Sequence, residues 1–137
     1  IYGMAGLRCG YCVTQRRNIE LMKAQQIFDS VNIMALVAAL ASLKDHDHVA
    51  RSRKLNNEVR KIVCAELDEL GYRYIQSHTN FLMIDLRRDV RPMITALGDC
   101  RIQVGRVFPA LPTLMRVTIG TSSQMKTFVK AFREVMV

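Results

Sequence analysis

Leu114-Met115-Arg116-Val117-Thr118-Ile119-Gly120-Thr121-Ser122-Ser123-Gln124 reads as a strand running straight into a helix. Met115, Val117 and Ile119 fall on one face, and Arg116 and Thr118 on the other, the period of a half-buried strand. Gly120 closes it. Thr121 followed three residues later by Gln124 has the form of a capping box. The helix it opens carries Met125, Phe128, Val129, Phe132 and Met136 on one side. A single arginine is thus placed opposite the apolar face, near a strand end left open by the Gly120-Thr121 turn.

Working back from there, residues 101–104 read as another strand, joined by the stiff loop Phe108-Pro109-Ala110-Leu111-Pro112. Residues 90–97 read as a helix, with Asp89 as cap and Gly98 as stop. Residues 72–76 and 81–86 read as strands around the polar turn 77–80. Ahead of them, residues 49–70 keep Leu55, Val59, Ile62, Val63, Leu67 and Leu70 on one helical face. Gly71 supplies the stop. A long helix followed by β-β-α-β-β-α predicts a small α+β domain.

The front of the chain differs. Residues 7–13 alternate, with Leu7, Cys9, Tyr11 and Val13 opposite Arg8, Gly10 and Cys12, and read as a strand. Residues 15–26 are mostly polar and give a short helix loosely marked by Ile19, Met22 and Ile27. Residues 31–43 are apolar save Asn32 and Ser42. They are too few to span a bilayer and predict a helix buried on nearly all sides. Residues 45–47 break it, and the join between two domains falls within 31–47.

The 137 residues are 50% hydrophobic and 23% charged, an ordinary globular balance. The net charge of +8 is gathered in Arg16-Arg17, in Arg51, Arg53, Lys54, Arg60 and Lys61, and in Arg87, Arg88 and Arg91. No aromatics interleave with these groups, and the larger one lies on an amphipathic helix, so a nucleic-acid partner is not expected. Cys9-Gly10-Tyr11-Cys12 has no second pair at zinc spacing, and Cys64 and Cys100 are isolated; neither a metal nor a redox site is expected. His46-Asp47-His48 and His78 read as turn residues, and Met115, Met125 and Met136 as core filling. No signal-peptide pattern is present, and no membrane partner is expected.

Two arginine motifs carry a family resemblance. Gly3-x-Ala5-Gly6-x-Arg8-x-Gly10-Tyr11 resembles the segment that follows the cofactor lysine in fold-type I, pyridoxal-phosphate-dependent aminotransferases of class I/II. The stretch from Leu114 to Thr121 resembles the "LRITIGT" run near the end of those enzymes, in particular ones similar to histidinol-phosphate aminotransferase. Asn32 with the Ala-rich run after it, Thr79-Asn80-Phe81-Leu82 and Gln103-Val104-Gly105-Arg106 fit the same pattern, so the resemblance spans essentially the whole chain.

The resemblance implies an α/β fold with an α+β part: the end of a large-domain sheet in residues 1–45, then a linking helix and small C-terminal domain in residues 46–137. It implies that Arg8 binds the phosphate of pyridoxal 5'-phosphate, and that Arg116 binds the carboxylate or phosphate of the substrate. Arg106 is implied as a second anion contact. The Schiff-base lysine is expected immediately before Ile1, so no catalytic residue falls on these residues, and by themselves they are expected to be inactive. The complete enzyme is expected to be a cytoplasmic homodimer that moves an amino group between an amino acid and a 2-oxo acid. Two other readings stay open: a non-catalytic basic interaction domain of the same small fold, and a lyase or decarboxylase that uses the same cofactor.

The residue types suit those roles. A guanidinium offers an oxyanion fixed charge and two parallel hydrogen bonds. Held in such a fork, an amino acid presents its amine in a fixed direction.

Overall fold

The computed structural model describes every residue except Phe28, Asp29 and Val137. It divides into two compact units, Ile1–Arg53 and Lys54–Val137. Among the described residues, no helix is long and apolar enough to cross a membrane.

The first unit opens with a single 3-10 turn, Ala5–Leu7, closed by Arg8 in the left-handed region at φ 57°. The strand expected over residues 7–13 is not formed, and residues 9–15 carry no regular structure. Alternation alone cannot make a strand. The unpaired backbone needs a neighbouring strand to bond to, and none of the described residues of this unit forms one. Helix α1 spans Arg16–Ala24 and buries nothing, as its polar composition suggests. Helix α2 spans Ile33–Lys44. Its cap is Asn32, whose Oδ1 accepts from the Ala35 N–H at 2.8 Å while its Nδ2 donates to the Leu7 carbonyl at 2.9 Å. The expected burial of this helix is not seen. Ala35 is its one buried residue, and Ile33, Met34 and Leu43 are each more than two-thirds exposed. A helix apolar all round needs neighbours on every side, and a 3-10 turn with one short polar helix cannot supply them.

Helix α3 spans His48–Glu69. It buries Val59, Val63 and Leu67, as the spacing predicts, whereas Leu55 and Ile62 remain exposed. Its end is a Schellman motif. Gly71 sits at φ 71°, its N–H bonds to the Asp68 carbonyl at 3.0 Å, and the Tyr72 N–H reaches back to Leu67 at 2.9 Å.

The second unit is an antiparallel sheet with helices on one face. Strands β1 (Arg73–Ile75), β2 (Phe81–Asp85) and β3 (Leu114–Thr118) lie in the order β1-β2-β3. The β2–β3 register sets Phe81 against Thr118, Met83 against Arg116 and Ile84 against Met115. Leu82, Ile84, Met115 and Val117 point inward to a core completed by Val63 and Leu67 of α3, by Met93 and Leu97 of α4 (Arg91–Asp99), and by Met125, Phe128 and Phe132 of α5 (Ser122–Val135). The capping box at Thr121–Gln124 is formed in both directions. The other sheet face carries Phe81, Met83, Arg116 and Thr118, which are half-buried or exposed.

Two expectations fail around α4. The helix runs through Gly98, and the left-handed stop position is Arg101 at φ 60°. Residues 101–104 do not form the expected fourth strand. The Arg101 and Ile102 N–H groups turn back to the Gly98 and Leu97 carbonyls at 2.8 and 2.9 Å. These bonds satisfy the helix end at the expense of the sheet edge. At the helix start the N-cap position is Val90, while Asp89 Oδ1 accepts from the Arg91 N–H at 2.9 Å.

Candidate functional site

Strand β3 places Arg116 on the sheet face that the core does not use. Its flanking residues Met115 and Val117 are 1% and 3% exposed, so the strand cannot rotate to hide the arginine without exposing them. The guanidinium lies over the ring of Phe81, with its carbon 4.2 Å from the ring centroid. The sheet register explains the contact: Arg116 pairs directly with Met83, and Phe81 is its diagonal neighbour on the same face.

Two features set this guanidinium apart. Its Nε is buried and has no hydrogen-bond partner among the described residues, and Arg116 takes part in none of the ion pairs those residues form. A buried N–H without an acceptor costs about 1–3 kcal/mol. An oxyanion arriving on the Nε edge would remove that cost and would meet an uncompensated positive charge.

The stem of Arg116 is fixed from the other side. The Gly105 N–H donates to the Arg116 carbonyl at 2.8 Å. A Cβ on residue 105 would stand 2.8 Å from Arg116 Cβ and 2.9 Å from that carbonyl oxygen. Gly105 is therefore a point at which the segment after α4 closes on the backbone of β3.

The turn ahead of Phe81 is held from α3. Arg60 Nη1 donates to the Thr79 carbonyl at 2.8 Å and Asn56 Nδ2 donates to the same oxygen at 3.1 Å. Ser77 Oγ donates to the Phe81 carbonyl at 2.7 Å, and the Ile119 N–H closes on the Asn80 carbonyl at 2.8 Å. Asn80-Phe81 thus leaves the turn in a fixed position.

Arg106 is exposed, with its guanidinium carbon 5.4 Å from the Phe108 ring centroid. It borders a hollow of about 680 Å³ with Ile94, Gly98 and Val107. Arg106 follows Gly105 directly, so the backbone brings it toward β3, but the two guanidinium groups rest on different rings. Arg8 belongs to the other unit. It is exposed, and its Nη1 donates to the Ala5 carbonyl at 3.0 Å. Strand alternation does not orient it, since no strand forms over residues 7–13; its backbone is left-handed, at φ 57°.

Sequence reasoning passed over Phe81 as a seat for an arginine, Gly105 as a close-contact glycine, and Asn56 and Arg60 as anchors of a distant turn. The Gly105-Arg106 pair was a signal for the second. The others depend on register and tertiary placement.

The family model described as aminotransferase class I and II matches residues 1–132. The histidinol-phosphate aminotransferase of Moorella thermoacetica is 39% identical over 139 residues, covering 99% of this chain and 36% of that protein. The solved histidinol-phosphate aminotransferase of Clostridium acetobutylicum is similar at TM-score 0.87 and 27% identity, over 97% of this chain and 42% of that one. That of Sinorhizobium meliloti, solved in complex with pyridoxal-5'-phosphate, gives TM-score 0.87 at 23% identity, over 98% of this chain and 38% of that one, a likeness of fold. The chain spans a little over a third of the length of the curated relatives it matches.

Proposed function

Since this chain belongs to the aminotransferase class I and II family, we propose that it is the C-terminal part of a pyridoxal-phosphate-dependent aminotransferase. Its amino donors are histidinol phosphate or aromatic amino acids, and the acceptor is a 2-oxo acid. Residues 1–45 belong to the large domain and residues 46–137 form the small one. The working enzyme is a cytoplasmic homodimer.

The observation that carries this reading is Arg116. A half-buried guanidinium with a buried, unsatisfied Nε stands on the strand that carries the resemblance. A guanidinium is a rigid fork of donors, and this Nε has no acceptor among the described residues. A substrate carboxylate or phosphate supplies the acceptor. The role of Arg116 is to bind that anion and fix the direction in which the substrate amine points.

The donor set also fits the coenzyme at its phosphate end. Arg8 spends one nitrogen on the Ala5 carbonyl and makes no ion pair among the described residues, so charge and donors remain for a phosphate dianion. Pyridoxal phosphate, when bound, supplies the electron sink and carries the amino group. Arg8 contributes binding, Arg116 contributes orientation, and Arg106 is a second contact for a doubly charged substrate.

The test is amino-group transfer by the complete enzyme, assayed with histidinol phosphate or an aromatic amino acid and a 2-oxo acid. Transfer that depends on added pyridoxal phosphate is expected. A complete enzyme that holds the cofactor but transfers no amino group from any of these donors contradicts the reading.

A further inference from the structure

We propose that Phe81 is a positioning residue for the anion-binding arginine, acting through its ring on the guanidinium of Arg116. The inference rests on the role given to Arg116 above. Arginine on an open sheet face has many rotamers, and a fork binds an oxyanion well only if it is held in one. Here both ends of the side chain are held. Gly105 packs against the Cβ and Cγ of Arg116, so the stem has little room. Phe81 lies 4.2 Å from the guanidinium carbon, so the head rests on a π face.

A ring can also stay under the guanidinium after an anion arrives. The face of the guanidinium is engaged by the ring, whereas hydrogen bonds to an oxyanion leave through its edge. The two contacts do not compete, and the ring holds the guanidinium without using a donor. A carboxylate in place of Phe81 would hold the arginine too, but it would neutralise the charge the substrate needs.

The platform has its own support. Arg60 and Asn56 both donate to the Thr79 carbonyl, two residues ahead of the ring. The Phe81 carbonyl accepts from Ser77 Oγ. Helix α3 therefore sets where the ring sits, and the ring sets where the guanidinium points.

The experiment is a double-mutant cycle in the complete, cofactor-loaded enzyme, with Phe81→Leu and Arg116→Ala separately and together. Phe81→Leu keeps apolar bulk and removes the π face. Two quantities are read: half-saturation by histidinol phosphate in single turnovers, and competition by inorganic phosphate, which reports anion binding without reaction. Thermal melting accompanies each variant. In the parent background Phe81→Leu is expected to weaken both by about five- to twenty-fold, with the limiting rate nearly kept. Phe81→Tyr, which keeps a ring, restores most of the loss. In the Arg116→Ala background Phe81→Leu has no further effect on either quantity. An equal loss in both backgrounds would show that Phe81 does not act through Arg116 and overturns the proposal. So does a Phe81→Leu enzyme that binds as the parent does while Arg116→Ala is impaired. If Arg116→Ala itself leaves both quantities unchanged, the anion role of Arg116 fails and this proposal falls with it.

Discussion

Gly105 and Arg116 meet backbone to backbone, with the Gly105 N–H 2.8 Å from the Arg116 carbonyl oxygen. The Gly105 hydrogen sits where a methyl group would strike Arg116 Cβ at 2.8 Å. A close approach of this kind needs glycine for space alone, since no left-handed backbone angle is involved. It also ties the segment carrying Arg106 to the strand carrying Arg116.

Gly105→Ala is therefore expected to lower stability by about 1–3 kcal/mol, because the atoms it meets are backbone and the first carbons of a strand residue. It should also weaken substrate affinity by moving the stem of Arg116. Thermal melting and half-saturation by the amino donor check this together. Unchanged values of both would mean that the segment after α4 yields without disturbing β3.

Arg8→Ala should weaken pyridoxal phosphate binding by about one to two decades, the worth of a charge-assisted hydrogen bond to phosphate. Arg8→Lys should recover part of it, since an ammonium carries the charge but not the fork. Spectrophotometric titration of the apoenzyme with the cofactor measures both. An alanine variant that binds the cofactor as tightly as the parent removes Arg8 from the phosphate site.

Asp89 gives a pH dependence of known sign. The Arg91 side chain, with help from the Arg91 N–H, holds its carboxyl down at about 2, against an ordinary 3.8. A carboxyl with a depressed folded-state pKa stabilises the fold fully above the unfolded value, and the contribution is lost as pH falls through the folded value. The start of α4 should thus weaken between about pH 4 and pH 2. Asp89→Asn should flatten that part of a melting-temperature profile and leave the rest alone. Parallel profiles for parent and variant would show that the pair at Asp89 is not coupled to folding.

How much was legible follows from how local each signal is. The capping box at Thr121–Gln124 and the stop at Gly71 are written in neighbouring residues, and both form as read. The alternation of Met115, Val117 and Ile119 against Arg116 is also local, and it held because β2 lies beside it with Leu82 and Ile84 facing the same way. Residues 7–13 alternate just as well, yet no strand is formed there, since pairing is not a property of one segment. Residues 101–104 lost their strand to the helix end, where Ile102 bonds back to Leu97. The seat of Arg116 on Phe81 was out of reach for the same reason. It needs the register of two strands, with Phe81 and Arg116 themselves 35 positions apart in sequence.

The claim most exposed to test is that Arg116 holds the substrate anion. The measurement is single-turnover bleaching of the cofactor absorbance against amino-donor concentration, parent against Arg116→Ala, in the complete enzyme. The core face of β3 is untouched by the change, and the cofactor phosphate is assigned to Arg8, so folding and cofactor content should persist. The expected result is that kcat/KM for the donor falls by about 10²-fold or more, and that the 2-oxo-acid half-reaction suffers alike. An unchanged concentration dependence with full cofactor would contradict it, and would send the search for the substrate anion to Arg106.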